Sequence, residues 1–308
     1  MRGEAIGATL DPAVKKASHR FEEIPLGVSF CAVFSPRGDI LATCGKRTIT
    51  VWDLPAGAKR WETTTLKDPS ELAFSPDGAR LAAKNTSGRV TVFDVDNGTV
   101  MKTVDKGRGE GASPAFSADG RTLVHGSWAG DLFVHDLDKG SESRRVFEGE
   151  MVRAVLRAGD RWVVVTSATA GAGRPDRVCV YGASLEGRPE VEFTVADLSH
   201  AALSPEGDRL AASRAHHGDI VVVELSSGKL LASTKAKLGG TGAAVRWGPS
   251  LLGSVQDGRV ELLSPSLERV GGADLVYPSD VSFSPDGALI ALGSWSEGTV
   301  RSVSDLLG

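Results

Sequence analysis

Three cysteines, three methionines and two tyrosines are all that the 308 residues hold of those types. Cys31, Cys44 and Cys179 make an odd count with no CxxC spacing, which excludes a disulfide framework and a thiolate metal knuckle. Cys31 and Cys179 stand in strand-like apolar context, where a thiol behaves as a small hydrophobe. Such usage suits a reducing compartment, so a cytoplasmic location is expected. No apolar run approaches the ~20 residues that span a bilayer. The first twenty residues, MRGEAIGATLDPAVKKASHR, lack the basic start, apolar core and cleavage site of a secretory signal. A net charge of −4 gives no basic field to hold nucleic acid.

Chemical motifs are equally scarce. The six histidines, His19, His125, His135, His200, His216 and His217, show no HxH or HxxxH spacing, and no Cys/His cluster has ligand spacing. There is no GxSxG elbow. Ser226 and Lys229 satisfy SxxK, but inside the turn SSGK. GRGEGA (107–112) misses GxGxxG and leads into no helical pattern, so a connecting loop accounts for it. Asp77, Asp119 and Asp286 belong to turns, and the basic pairs lack interleaved aromatics. No catalytic residue, cofactor or metal is expected.

What the chain does contain is repetition. A hairpin recurs as FSPRGDILAT (34–43), FSPDGARLAA (74–83), FSADGRTLVH (116–125), LSPEGDRLAA (203–212) and FSPDGALIAL (283–292). Weaker copies begin at Val155 and Val245. The starts at 34, 74, 116, 155, 203, 245 and 283 are 38 to 48 residues apart. After each hairpin comes a second element in phase: TITVWD, RVTVFD, DLFVHD, RVCVYG, DIVVVE, RVELLS and TVRSVS. Turns such as LPAG, VDNG and LSSG follow several of them. A weaker apolar segment closes each unit. Short β-branched runs punctuated by Gly, Asp, Asn and Pro predict antiparallel strands joined by hairpins. In the turn itself Pro76 presets the first corner and Asp77 suits the second. Gly78 supplies the left-handed residue, and the Ser75 hydroxyl caps the turn.

Four strands in about 40 residues make one blade of a propeller. With Val51-Trp52-Asp53, Val92-Phe93-Asp94 and Val134-His135-Asp136 at the end of the third strand, the chain resembles the WD-repeat β-propeller superfamily. It resembles the degenerate form with bacterial-type SPDG repeats. The likeness runs over about residues 19–304. It implies an all-β fold: a seven-bladed propeller of four-stranded antiparallel blades. The Gly-His pair of the family is missing and only blade one keeps Trp-Asp, so the blades are expected to rely on packing. Residues 1–18 read as an N-terminal arm and 19–308 as the propeller. HRFEEIP (19–25) stands unpaired before the first inner strand, VSFCAVF (28–34). The resemblance implies that it latches onto blade seven as its outer strand, which removes an open sheet edge.

By the same likeness, partners dock on the face carrying the loops from outer to inner strands and from second to third strands. Arg47, Trp128, Arg174, His200, Arg214, His216, His217 and Trp295 fall there by register. Trp128 and Trp295 occupy matching positions in blades three and seven. SATAGAGRPDR (167–177), with Arg174 and Arg177, reads as a mildly basic insertion in blade four. The expected function is a non-catalytic, monomeric scaffold or adaptor for protein partners, with neither nucleic acid nor membrane among them. The alternative is a propeller enzyme, lactonase or hydrolase in type, acting in the central channel. Glu71, Arg153, His200 and Asp280, near the starts of inner strands, are the residues that could gather at its mouth.

Overall fold

The turn of FSPDGA forms as its residues dictate. Gly78 takes φ +73° and donates its N–H to the Ser75 carbonyl at 2.8 Å. Ser75, fully buried, accepts the Arg80 N–H on its hydroxyl at 2.9 Å, and the Asp77 carboxylate takes the Ala79 N–H. A Cβ at Gly78 would be strained at that φ whatever space surrounds it. The same hydroxyl–carboxylate clasp recurs at Ser284 and Asp286, 2.6 Å apart. Each clasp launches a second strand, and the strands assemble into blades.

A computed structural model describes residues 21–106, 109–169, 175–214, 219–234, 244–256 and 258–308. Blade one runs Cys31–Phe34, Ile40–Cys44, Ile49–Asp53 and Ala58–Thr63 in simple antiparallel order. Blades two to six repeat that order from inner strands Pro69–Phe74, Ala115–Phe116, Glu150–Ala158, Leu198–Leu203 and Val245–Trp247. Blade seven pairs its inner strand, Pro278–Phe283, with the long run Leu289–Ser302. That run doubles back, since the Val303 N–H reaches the Ala288 carbonyl at 2.9 Å. Its return half pairs with Ile24–Ser29, with Ile24 opposite Val300.

The ring is therefore closed by the N-terminal strand, as the resemblance implies, but the latch is displaced along the chain. It occupies Ile24–Ser29, which shares Ile24 and Pro25 with the expected 19–25 and runs four residues further. Ile24 and Leu26 are its buried pair, two residues apart on one face of the strand, whereas Phe21 precedes it outside the pairing. Residues 1–20, which include the expected arm, lie outside the described residues. Blade four corrects a second expectation. Its second strand extends through Ala168 and its third begins at Asp176, so the ends of the 167–177 insertion are strand. Arg177 is held by Glu150 at 2.7 Å and Glu192 at 2.9 Å, and so does not belong to a loose basic loop.

Among the described residues the apolar core divides into seven clusters, one at each blade junction. Val163, Val165 and Val178 meet Leu198, Leu210 and Val221 between blades four and five. Ile24, Leu26 and Val300 meet Leu41 and Trp52 where the ring closes. Alternating side chains on each strand serve opposite junctions, so every blade is packed on both faces. In blade one the Trp52 indole N–H donates to Thr43 Oγ1 at 3.1 Å, a polar brace within the sheet. All three cysteines are buried and free. No helix among the described residues is long and apolar enough to cross a membrane.

One buried cation stands out in this packing. Lys84, 1% exposed on the second strand of blade two, donates to the carbonyls of Ala112 and Gly126. Burial pulls its pKa down to about 8, against the opposing pull of Glu71, Asp105 and Glu110. The unfolded chain keeps its ordinary value of 10.5, so the cost of burying the charge is full below pH 8 and is relieved as pH rises above it. Between pH 7 and 9 this favours the fold by about 1 kcal/mol. Cys31 and Cys179 act in the opposite sense, with Cys179 pushed up to about 11 by burial. The comparison that isolates Lys84 is wild type against Lys84→Met. Urea unfolding should show the gap moving toward wild type by about 1 kcal/mol over that range. A pH-independent gap would mean that Lys84 stays charged in the fold.

Candidate functional site

The starts of the inner strands lie at the end of the ring where the outer-to-inner loops arrive. Four of the inner strands bring charge there, and a histidine joins them. Asp280, 3% exposed, places Oδ1 3.1 Å from Arg246 Nη2 and accepts the Ala32 N–H on Oδ2 at 3.2 Å. Glu71 accepts the Ser113 hydroxyl. Burial raises the Glu71 carboxyl above its ordinary range, against the pull of Ser113 and Arg246. Burial also raises Asp280, with Arg246 opposing. Arg153 donates to Ser167 Oγ at 2.7 Å. His200 is exposed on its surface at the strand start, but the surrounding protein desolvates its ring. That setting, with Arg246 and Arg153 nearby, lowers its pKa to about 4, so it is neutral at physiological pH.

Glu71, Arg153, His200 and Asp280 thus stand at the channel mouth, where the sequence put them. Arg246, which completes the cluster, carried no signal beyond a charged residue in the eroded sixth repeat. Its partner is 34 residues away in the next blade.

Around the mouth, Trp128 and Trp295 both stand in the turns between second and third strands, 45% and 56% exposed. They lie on opposite sides of the ring, in blades three and seven, and do not form one patch. Trp295 lies against Phe30 with ring centroids 4.0 Å apart and planes tilted by 36°, and its backbone N–H donates to the Tyr277 carbonyl at 2.9 Å. Tyr277 is 71% exposed, at φ +47° and immediately before Pro278. A bulky residue in the left-handed region is strained, and proline further restricts the residue before it. Val276 and Val28 add exposed apolar surface to the same corner. Beside it a groove of about 510 Å³ is lined by Glu23, Asp274, Val276, Glu297 and Arg301.

The remaining expected residues separate. Arg47 is exposed in the matching turn of blade one. Arg214 grips Asp219 through both Nε and Nη2, so its charge is spent within blade five. Arg174, His216 and His217 lie outside the described residues. Two histidines without ligand spacing in the sequence are brought together elsewhere. His125 and His135 face one another inside the junction between blades two and three, with Nε2 atoms 3.0 Å apart. Linear spacing conceals that pair, because it arises from strand register.

Comparison with known proteins fits this geometry. The family model described as "WD domain, G-beta repeat" matches residues 19–53, which span the latch and most of blade one. Among solved structures, the chain is similar to the WD40 repeats of RRP9, with a TM-score of 0.74 at 16% identity over 93% of this chain and 98% of that one. It is similar to the β-propeller domain of Myceliophteria thermophila Cps50 (Swd1), with a TM-score of 0.78 at 15% identity, covering 92% of this chain and 100% of that one. Kuenenia stuttgartiensis hydrazine synthase gives 0.76 at 16% identity over 94% and 99%. At such identities the likeness is one of fold. No curated protein sequence matches the chain. Blade one is where Trp52 and Asp53 survive and where the family model matches; the ring carries the same plan through all seven blades. The chain folds as a seven-bladed β-propeller, with a WD-domain match confined to residues 19–53.

Proposed function

We propose that this propeller is a non-catalytic scaffold that holds a protein partner on the face bearing Tyr277 and Trp295. The observation that carries the reading is the strained, 71%-exposed Tyr277 beside the exposed Trp295 at the corner where the ring closes. Aromatics held rigidly on a preorganised surface anchor partners at small ordering cost. Glu297 and Asp274 lie in the adjoining groove, so the complementary partner is a segment with an apolar anchor and basic flanks. A net charge of −4 favours protein over nucleic acid or an acidic membrane surface. The low count of cysteines, all free, is in keeping with work in the cytoplasm, as a single ring.

The test is affinity capture from native lysate with mass spectrometry, followed by binding to the purified partner. The Tyr277→Ala/Trp295→Ala variant should weaken that partner by thirtyfold or more, a loss on the order of 2 kcal/mol. Its melting temperature should remain that of wild type, and Trp128→Ala should have little effect. Full retention of the partner by the double variant would remove this face from consideration.

A second reading rests on the channel cluster. A lactonase or hydrolase site would draw on Glu71, His200, Arg246 and Asp280. Asp280 is already engaged by Arg246 and Ala32, and Glu71 by Ser113, so the carboxylates serve the ring's own cohesion. Turnover of lactones or esters that is lost in Glu71→Gln would favour the channel instead.

A further inference from the structure

The junction between blades two and three is built unlike the other six. Among the described residues its apolar cluster holds Ala82, Val90, Val92, Phe116 and Leu123, where the clusters at the other junctions hold eight to thirteen, and Phe133 packs beside the histidines. Four ionisable groups are buried there instead: Lys84, Asp105, His125 and His135. Asp105 comes from the outer strand of blade two, Val100–Lys106. His125 and His135 come from the second and third strands of blade three, Thr122–Gly126 and Asp131–Asp136. Register opposes Leu123 to His135 and His125 to Phe133, which puts all four on the face toward blade two. These are the positions that Thr43 and Trp52 hold in blade one. There an indole donates to a hydroxyl; here two imidazoles meet beside a carboxylate.

The spacing of the donor atoms is that of a coordination shell. His125 Nε2 lies 3.0 Å from His135 Nε2 and 3.4 Å from Asp105 Oδ2. One ligand atom from each of the three residues lies within 4.8 Å of the other two. A tetrahedral ion with bonds of ~2.0–2.1 Å needs neighbouring ligands ~3.3–3.4 Å apart. Glu142 Oε2 stands 3.6 Å from His135 Nδ1. It favours the proton on Nδ1 and leaves the Nε2 lone pair to the interior, as carboxylates behind metal-bound histidines do. Phe133 stacks on the His125 ring, centroids 5.1 Å apart, and closes the site with an apolar wall. The Lys84 ammonium is already shared between the Ala112 and Gly126 carbonyls.

We infer that Asp105, His125 and His135 bind one zinc-like divalent cation, which pins blade two to blade three. Two imidazoles and one carboxylate are a donor set that zinc accepts, with the fourth position left to water or to the second Asp105 oxygen.

Tag-free, full-length protein stripped with chelator is titrated with Zn²⁺ by calorimetry and with Co²⁺ by absorbance. Wild type should take up one equivalent, and its melting temperature should rise by roughly 4 °C at a hundredfold excess over Kd. Asp105→Asn, which keeps shape and hydrogen bonding, should weaken binding tenfold or more. The double variant His125→Thr/His135→Trp installs the blade-one pair in the same register. It should fold and bind no metal at this stoichiometry. If the double variant fails to fold, Asp105→Asn decides. Absence of one-equivalent binding by wild type overturns the inference. So does unchanged affinity in the variants, which would place the ion on other histidines.

Discussion

A chain that begins at Phe30 should melt about 10 °C lower than the full-length protein, or fail to close into a ring. The strand it loses places Ile24 and Leu26, 8% and 7% exposed, against Val300, Ala291, Leu41 and Trp52. Burial of two such side chains contributes about 1.5–3 kcal/mol each. Also lost are the pairings of Ile24 with Val300 and Pro25 with Thr299, together with the bonds from Thr299 and Arg301 to Glu23. A total near 5 kcal/mol, at about 2 °C per kcal/mol for a chain of this size, gives the stated drop. Ile24→Asp/Leu26→Asp at full length should lose a comparable amount, which separates the apolar contacts from chain length. The exposed third strand of blade seven would then be an open edge, and self-association in sedimentation should accompany the loss. Unchanged melting in both variants would show that the ring holds without its latch.

The second large effect belongs to Asp280. This carboxylate joins three consecutive blades: its own, blade six through Arg246, and blade one through the Ala32 N–H. Asp280→Ala should cost about 3 kcal/mol, because it orphans a cation in the channel wall and leaves a buried N–H unpaired. The low end of the 3–5 kcal/mol range for broken buried pairs applies, since the Arg246 side chain keeps 33% of its surface exposed. Burial outweighs Arg246 in setting the Asp280 carboxyl above its ordinary range, so the pair as a unit contributes little net stability. Asp280→Ala/Arg246→Leu should therefore recover about half of the loss, the remainder being the Ala32 N–H. Urea titrations with unchanged m-values would measure both steps. A double variant no better than the single one would assign the whole cost to the Ala32 contact.

The legible parts of this protein were those written locally. Ser75, Pro76, Asp77 and Gly78 specify a turn within four residues, and copies of the turn counted the blades. Elements fixed by distant pairing were blurred. The latch moved from 19–25 to Ile24–Ser29 because its bounds depend on what Val300 and Gly298 present 276 and 271 residues later. The ends of the insertion in blade four are strand, where Glu150 and Glu192 receive Arg177. At the candidate site the exposed Trp128 and Trp295 could be read from their turns. Tyr277 could not, because LVYP reads as a weak strand end and its left-handed backbone leaves no mark in a single sequence. His125 and His135 stand ten positions apart, with no ligand spacing between them. Only the register of two antiparallel strands makes them neighbours, and only a third strand from another blade adds Asp105.

The pairing of Ile24 with Val300 also sets an order of events during synthesis. The strand that completes the ring leaves the ribosome 276 residues ahead of its partner. At ordinary elongation rates, roughly 15–60 s separate the two. Throughout that interval Ile24 and Leu26 have no native surface to cover them, and blade one has no seventh blade at its back. Growing chains are thus open to chaperone capture or edge-to-edge aggregation until Val300 emerges, and a stall before that point would hold them there.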